Sequence, residues 1–167
     1  ALEEEERGFI AAPELVGVAQ CAYQEDGAAR RPRTAAGRLT RLVRGELDWI
    51  VMKCMERMGD QCVNIGKLIP LAGHDPPADE KMLGDIVTMG KQARSLITQS
   101  KRAFADRDVA LARDLVRQDD VIDNLNRECF RLALEIGDDA DAREWAMTMM
   151  LVARAMERIG DNAVDIG

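Results

Sequence analysis

Two segments of the chain set a glutamate and an aspartate four residues apart beside a glycine: Glu56-Arg57-Met58-Gly59-Asp60 and Glu157-Arg158-Ile159-Gly160-Asp161. On a helix, side chains at i and i+4 are neighbours, so each segment brings two carboxylates together on one face. Like charges held side by side repel, and a cation or a basic neighbour relieves that repulsion. Asp119 and Asp123 form a third i,i+4 pair, upstream of the second segment. If those two stretches pack side by side, four carboxylates converge into an oxygen-rich site, suited to hard or borderline cations rather than to thiolate chemistry. The plainer alternative stays open. In a chain with 30 acidic residues, carboxylates on solvated helix faces are expected, and Arg57 and Arg158 would partly neutralise these.

The two segments are copies of one another. At an offset of 101, residues 55–66 and 156–167 agree at eight of twelve positions, with Met58 against Ile159 an apolar exchange. Such a repeat indicates two versions of one supersecondary unit. The helical angle then places the acids. Measured from Met156, Glu157, Asp161 and Asp165 lie at roughly 100°, 140° and 180°, on the face away from the apolar stripe. Gly59 and Gly160 would let a neighbouring helix or ligand approach closely, at a cost of about 1 kcal/mol each in helix propensity.

The elements that must hold these groups are helices. Residues 82–104 repeat apolar or small side chains at Leu83, Ile86, Gly90, Ala93, Ile97, Ser100 and Phe104, the three-and-four spacing of one bundle face. Residues 108–136 carry a similar stripe, Leu111, Leu115, Ile122, Leu125, Cys129, Leu132 and Ile136, interrupted by Gln118. Gly137 is suited to a left-handed position after the helix, and Asp138 to the N-cap of the next, with Asp141 in the place of a capping-box acid. Residues 139–167 align Trp145, Met149, Val152, Met156, Ile159, Ala163 and Ile166. Three such helices with short connections form an antiparallel bundle, because none can hide its stripe alone.

Ahead of this bundle, Pro70-Leu71-Ala72-Gly73-His74-Asp75-Pro76-Pro77 marks a linker over 70–80. Before it, residues 39–69 read as one long helix with Val51, Met55, Met58, Cys62, Ile65 and Ile69 in register. Residues 27–37, with three arginines, a proline and two glycines, suggest a loop or an irregular helix start. Pro13 and Gly17 interrupt a helical pattern over 1–24.

Composition narrows the function. A formal net charge of −7 argues against nonspecific binding to nucleic acid or anionic lipid while leaving room for a local basic patch, and Arg30-Arg31-Pro32-Arg33 is too short and broken to be a recognition helix. No apolar run approaches a transmembrane length, and the acidic N-terminus does not resemble a signal peptide. Cys21, Cys54, Cys62 and Cys129 form no C-x-x-C pair, and the last three follow helical periodicity, as small buried hydrophobes of a reducing compartment do. A phosphate-binding glycine loop is lacking, as is a nucleophile with its base. Carboxylate-bridged metalloenzymes of the bundle type add a Glu-x-x-His, yet the only histidine, His74, lies in the linker.

The paired segments, with Val63-Asn64-Ile65 and Val164-Asp165-Ile166 after them, resemble the repeated signature of the PhoU family, and Asp119-Asp120-Val121-Ile122-Asp123-Asn124-Leu125 resembles the acidic segment of its middle helix. The resemblance implies an all-α protein of two antiparallel three-helix bundles: residues 1–73 as a first repeat, atypical or incomplete in its N-terminal part, and residues 80–167 as a second. It implies metal ligation by Glu56, Asp60, Asp119, Asp123, Glu157 and Asp161, with Asn64 and Asp165 as accessory ligands, for a divalent or ferric ion (Fe, Mn, Mg, Ca or Zn). No catalytic residue follows from it. It further implies a non-enzymatic, homodimeric regulator of phosphate uptake and phosphate-starvation signalling. Such a regulator acts on a phosphate ABC transporter and its sensor histidine kinase, in the cytoplasm and at the inner membrane through these partners. A metal-free structural scaffold and a carboxylate-bridged metalloenzyme are the alternatives. One departure stands out: the same offset sets Val18 to Ala22, without a carboxylate, opposite Asp119 to Asp123, so the first repeat lacks the middle-helix pair.

Overall fold

The computed structural model describes residues 35–72 and 78–167, with side chains from residue 45 onward. The patterns expected over 1–24 and at Cys21, the Arg30 to Arg33 cluster and His74 lie outside the described residues. Four helices follow in order: α1 (Ala35–Leu68), extended by a 3-10 turn at Ile69–Ala72, then α2 (Glu80–Asp106), α3 (Val109–Glu135) and α4 (Ala140–Ile166). No strand occurs among the described residues. Helices α2, α3 and α4 pack on one another as a three-helix bundle, and α1 lies against α4. The all-α expectation holds, as a three-helix bundle preceded by an atypical helical part. Helix α1 begins at Ala35, so the irregular start expected through Gly37 already belongs to a helix at its end.

Each bundle helix is bounded by local chemistry. The Asp79 carboxylate accepts from the Met82 amide at 2.7 Å and caps α2. Asp108 accepts from the amides of Ala110 and Leu111 and caps α3. Between them Arg107 takes the left-handed conformation (φ 53°, ψ 40°), and the Asp108 amide donates to the Ala103 carbonyl at 3.0 Å. This is the turn that closes α2, made without a glycine. The α3–α4 connection corrects the sequence reading. The chain leaves α3 through Ile136 in an extended conformation (φ −63°, ψ 128°), so no left-handed glycine is required at Gly137. The N-cap of α4 is Asp139 rather than Asp138, and its side chain makes no capping bond.

In α2 the buried line is Met82, Ile86, Met89, Ala93, Leu96, Ser100 and Ala103. It shares Ile86, Ala93 and Ser100 with the expected stripe, but turns Leu83, Gly90 and Ile97 to the shoulder and leaves Phe104 exposed. Both lines obey heptad spacing, and the structure buries the one carrying Met82, Met89 and Leu96, the larger side chains. Gln118, the polar member of the α3 stripe, receives compensation from α2. Its side-chain amide donates to Gln99 Oε1 at 2.8 Å, and its backbone carbonyl accepts from Gln92 at 3.1 Å. The stripe of α3 is otherwise as expected, with Leu115, Ile122, Cys129 and Leu132 buried. Helix α4 buries twelve of its 27 residues against four for α3 of equal length, because α1 covers one flank and the bundle the other.

Candidate metal centre

Helix α4 carries Glu157, Gly160 and Asp161, and α3 carries Asp119 and Asp123. The two helices meet at Gly160, whose missing side chain is replaced by Asp119: Oδ1 of Asp119 occupies the space a Cβ would take, and Ile122 Cδ1 lies 3.1 Å from the same point. Glycine suits this position, since a side chain would have to displace the Asp119 carboxylate and crowd Ile122. The close approach overturns the placement of Glu157 on a face away from the core. Its side chain is only 12% exposed, because α3 covers what the α4 stripe alone would leave open. Asp161, by contrast, remains largely exposed.

The four acids feel one another. Burial, then Asp161, Asp123 and Glu157, push the Asp119 carboxyl up to about 6. Glu157 is raised by burial and by Asp161, against the opposing pull of Arg154. Asp161 is raised by partial burial and then by Asp123. Arg154 forms an ion pair with Glu157 through Oε1, while Glu157 Oε2 and Asp119 Oδ1 are buried without a hydrogen-bond partner. Two orphaned carboxylate oxygens facing a set of acids are chemically suited to a hard cation. Even so, among the described residues no three or more His, Cys, Asp or Glu side chains stand close enough to close around one ion. The carboxylates are near enough to repel and not, in these rotamers, near enough to share a ligand. The fold therefore sets Asp119 and Asp123 on α3 across from Glu157 and Asp161 on α4 without gathering them into a closed cluster.

The first copy of the motif is arranged differently. Glu56 is exposed and paired with Lys53 at 2.5 Å, an interaction that holds its carboxyl below the usual range. Asp60 lines an open groove with Trp49, Lys53, Arg57 and, from α4, Asp165. Asn64 is exposed, and among the described residues nothing lies within 4 Å of where a Gly59 Cβ would stand. Asp165 belongs to both settings: it faces the groove that Asp60 lines, and from one turn along α4 it helps to raise the Asp161 carboxyl.

Sequence reasoning passed over two features of the bundle. Arg154, three residues before Glu157, was legible as an i,i+3 partner. Asp85 was not: its Oδ2 is buried and unpartnered, and burial, opposed by Lys81 and reinforced by Glu128 and Asp79, raises its carboxyl. Glu128, gripped by Arg131 and Lys81, moves the other way, to about 2. The thiols of Cys54, Cys62 and Cys129 are free, and burial raises each of them. Among the described residues no helix is long and apolar enough to cross a membrane.

Comparison with known proteins adds a frame for this geometry. Residues 86–167 match the model of the PhoU domain, a span that includes most of α2 and all of α3 and α4. The chain is 29% identical over 113 residues to the phosphate-specific transport system accessory protein PhoU homolog of Clostridium acetobutylicum, covering 67% of this chain and 51% of that protein. It is 32% identical over 110 residues to PhoU homolog 1 of Thermotoga maritima, covering 65% and 47%. A PhoU homolog of Aquifex aeolicus is 30% identical over 109 residues, covering 65% and 48%. The chain thus spans about half the length of the curated relatives it matches. No solved structure matches the chain significantly. With the acidic pairs of α3 and α4 both inside the matched span, residues 86–167 are a domain of the PhoU family.

Proposed function

We propose that the protein is a non-enzymatic, homodimeric regulator of phosphate uptake and phosphate-starvation signalling, acting on a phosphate ABC transporter and its sensor histidine kinase. The observation that carries this reading is the PhoU domain over residues 86–167, together with relatives whose names tie them to phosphate-specific transport. In this reading residues 80–167 form the second three-helix repeat and residues 1–73 the first, atypical in its N-terminal part. The protein works in the cytoplasm and reaches the inner membrane through its partners.

Within that role, Asp119, Asp123, Glu157 and Asp161 hold a divalent or ferric ion (Fe, Mn, Mg, Ca or Zn) between α3 and α4. The orphaned oxygens of Asp119 and Glu157 support this assignment. A bound cation supplies the positive charge that these acids lack and fixes the two helices to each other. Glu56 and Asp60, with Asn64 and Asp165, form at most an open, incomplete counterpart. A metal-free scaffold is the second reading, favoured by the pairing of Glu157 with Arg154 and by the spread of the carboxylates.

The test combines genetics and metal analysis. Deletion of the gene, with any paralogues removed, should derepress phosphate-starvation genes or disturb uptake; unchanged expression and uptake at high and low phosphate would defeat the regulatory reading. Asp123→Asn with Asp161→Asn should abolish metal content and the metal-dependent rise in melting temperature, which for wild type at a hundredfold excess over Kd is worth about 2.7 kcal/mol. Metal retention equal to wild type, or no binding by either protein across the five metals, would remove the site.

A further inference from the structure

Residues 86–105, twenty consecutive positions of α2, contain no aspartate or glutamate, in a chain that has 30. Lys91, Arg94, Lys101 and Arg102 all fall in that stretch. Three of them, Lys91, Arg94 and Arg102, line a groove of about 430 Å³ beside the start of α3, with Ser95, Gln99 and Leu111 among its walls. At roughly 100° per residue the three bases and Ser95 fall within about 100° of helix surface, along some 16 Å of its axis. Lys91, Arg94 and Ser95 are spaced i, i+3 and i+4, so two cations and a hydroxyl surround one point, with Arg102 two turns further on.

These bases are not neutralised from within. Elsewhere on the bundle Lys81, Arg117, Arg131 and Arg154 are tied to carboxylates. The side chains of Lys91, Arg94 and Arg102 have no ion pair or hydrogen bond among the described residues. The acid nearest in the hydrogen-bond network, Asp114, is already engaged. It accepts from Gln118 at 2.6 Å, from Arg117 and from Gln99 at 3.3 Å. The Gln99 side chain stands between it and the groove, donating also to the Leu111 carbonyl at 3.1 Å. An acidic protein has therefore kept one helix face free of acids and left its cations open to solvent.

We propose that this groove binds a phosphate group, with Arg94, Lys91 and Arg102 as counter-charges and the Ser95 hydroxyl as a donor. A carboxylate is planar and is satisfied by one guanidinium fork. A phosphate presents oxygens in several directions and up to two negative charges, which matches donors arriving from three side chains around one helical turn. Two sources offer that chemistry, phosphate free in solution and the head group of an anionic lipid. The proposal is independent of the metal site and of the regulatory reading, and its failure would leave both standing.

The experiment titrates the purified full chain, in metal-free buffer, with inorganic phosphate and with tripolyphosphate by calorimetry. In parallel it measures co-sedimentation with phosphatidylglycerol vesicles against phosphatidylcholine vesicles. Removing metal keeps the α3–α4 acids from binding phosphate through a bridging ion. The groove variant is Arg94→Gln with Arg102→Gln; the charge-matched control is Lys67→Gln with Arg127→Gln, both on exposed positions away from the groove. Arg94→Gln alone is the reserve should circular dichroism show the double variant misfolded. Wild type and control should bind alike, and the groove variant should lose at least about tenfold in affinity, the loss of one charge-assisted contact or more. Binding confined to the soluble probes assigns free phosphate, and binding confined to phosphatidylglycerol assigns the head group. No binding to any probe in the millimolar range, or equal losses in groove and control variants, would overturn the proposal.

Discussion

Glu56 and Glu157 are the same residue of a repeated segment, yet their carboxyls move in opposite directions. Glu56 is exposed and drawn down by Lys53, while Glu157 is nearly covered and pushed up by burial and Asp161. Gly59 and Gly160 differ in the same way: among the described residues the first has no neighbour within 4 Å, and the second admits Asp119. Eight shared positions out of twelve make the two helices alike and leave their chemistry different. What a carboxylate does is set by the helix that lies across from it, and the α4 copy of the segment has Asp119 and Asp123 of α3 there.

The comparison can be broken most forcefully in the core. Ile159, 1% exposed, and Met58, 8% exposed, occupy corresponding positions. Ile159→Ala should cost about 3–4 kcal/mol and Met58→Ala about 2 kcal/mol, read as shifts in urea midpoint at constant slope. Equal losses would mean that α1 is as fully enclosed as α4.

A smaller effect concerns pH. Because the folded-state carboxyl of Asp119 titrates near 6 instead of 3.8, the native state binds the proton more tightly than the unfolded chain. That contribution is fully present below the unfolded value and is lost as pH rises from about 4 to about 6. The site is partly solvated, so the loss should be about 1–2 kcal/mol rather than the ~3 kcal/mol of an unscreened shift. In metal-free buffer Asp119→Asn should flatten this part of the stability profile and be the more stable protein at pH 7. Glu56→Gln should do the reverse, removing a weak stabilisation that is present at neutral pH and disappears on acidification. A wild-type profile that rises between pH 4 and 6, and keeps that slope in Asp119→Asn, would contradict the assignment.

The smallest expected effect divides the glycines. Gly59→Ala meets no atom of the described residues and should raise the melting temperature, by up to about 1 kcal/mol of helix propensity. Gly160→Ala gains the same propensity but must displace Asp119 and crowd Ile122, and should lose about 1 kcal/mol net. Its further signature is a downward shift of the Asp119 pKa, measured by carboxyl NMR, as the side chain is driven into water.

Much of this arrangement was legible in the residues. Helix identity and approximate limits followed from the stripes of α2, α3 and α4, and the convergence of Asp119 and Asp123 with Glu157 and Asp161 followed from two i,i+4 pairs on consecutive helices. The α2 register was not legible, because Met82–Met89–Leu96 and Leu83–Gly90–Ile97 both satisfy the period, and only the shape of the facing helices chooses between them. The α3–α4 turn misled for a related reason: a glycine permits a left-handed residue without demanding one. The burial of Glu157 was missed because its angle was measured against the stripe of its own helix, while the covering surface belongs to α3.

Because α4 is enclosed on two flanks, its backbone amides can meet solvent only when both neighbours have moved away. Opening of α1 alone, or of α2 and α3 alone, leaves one side of α4 sheltered. The slowest hydrogen exchange in the molecule should therefore lie in the middle of α4, around Val152 to Ile159, at a free energy close to that of complete unfolding. Exchange in α1 should be faster and local. A gradient of protection running outward from α4 would make this one helix the clock by which the opening of every other element is timed.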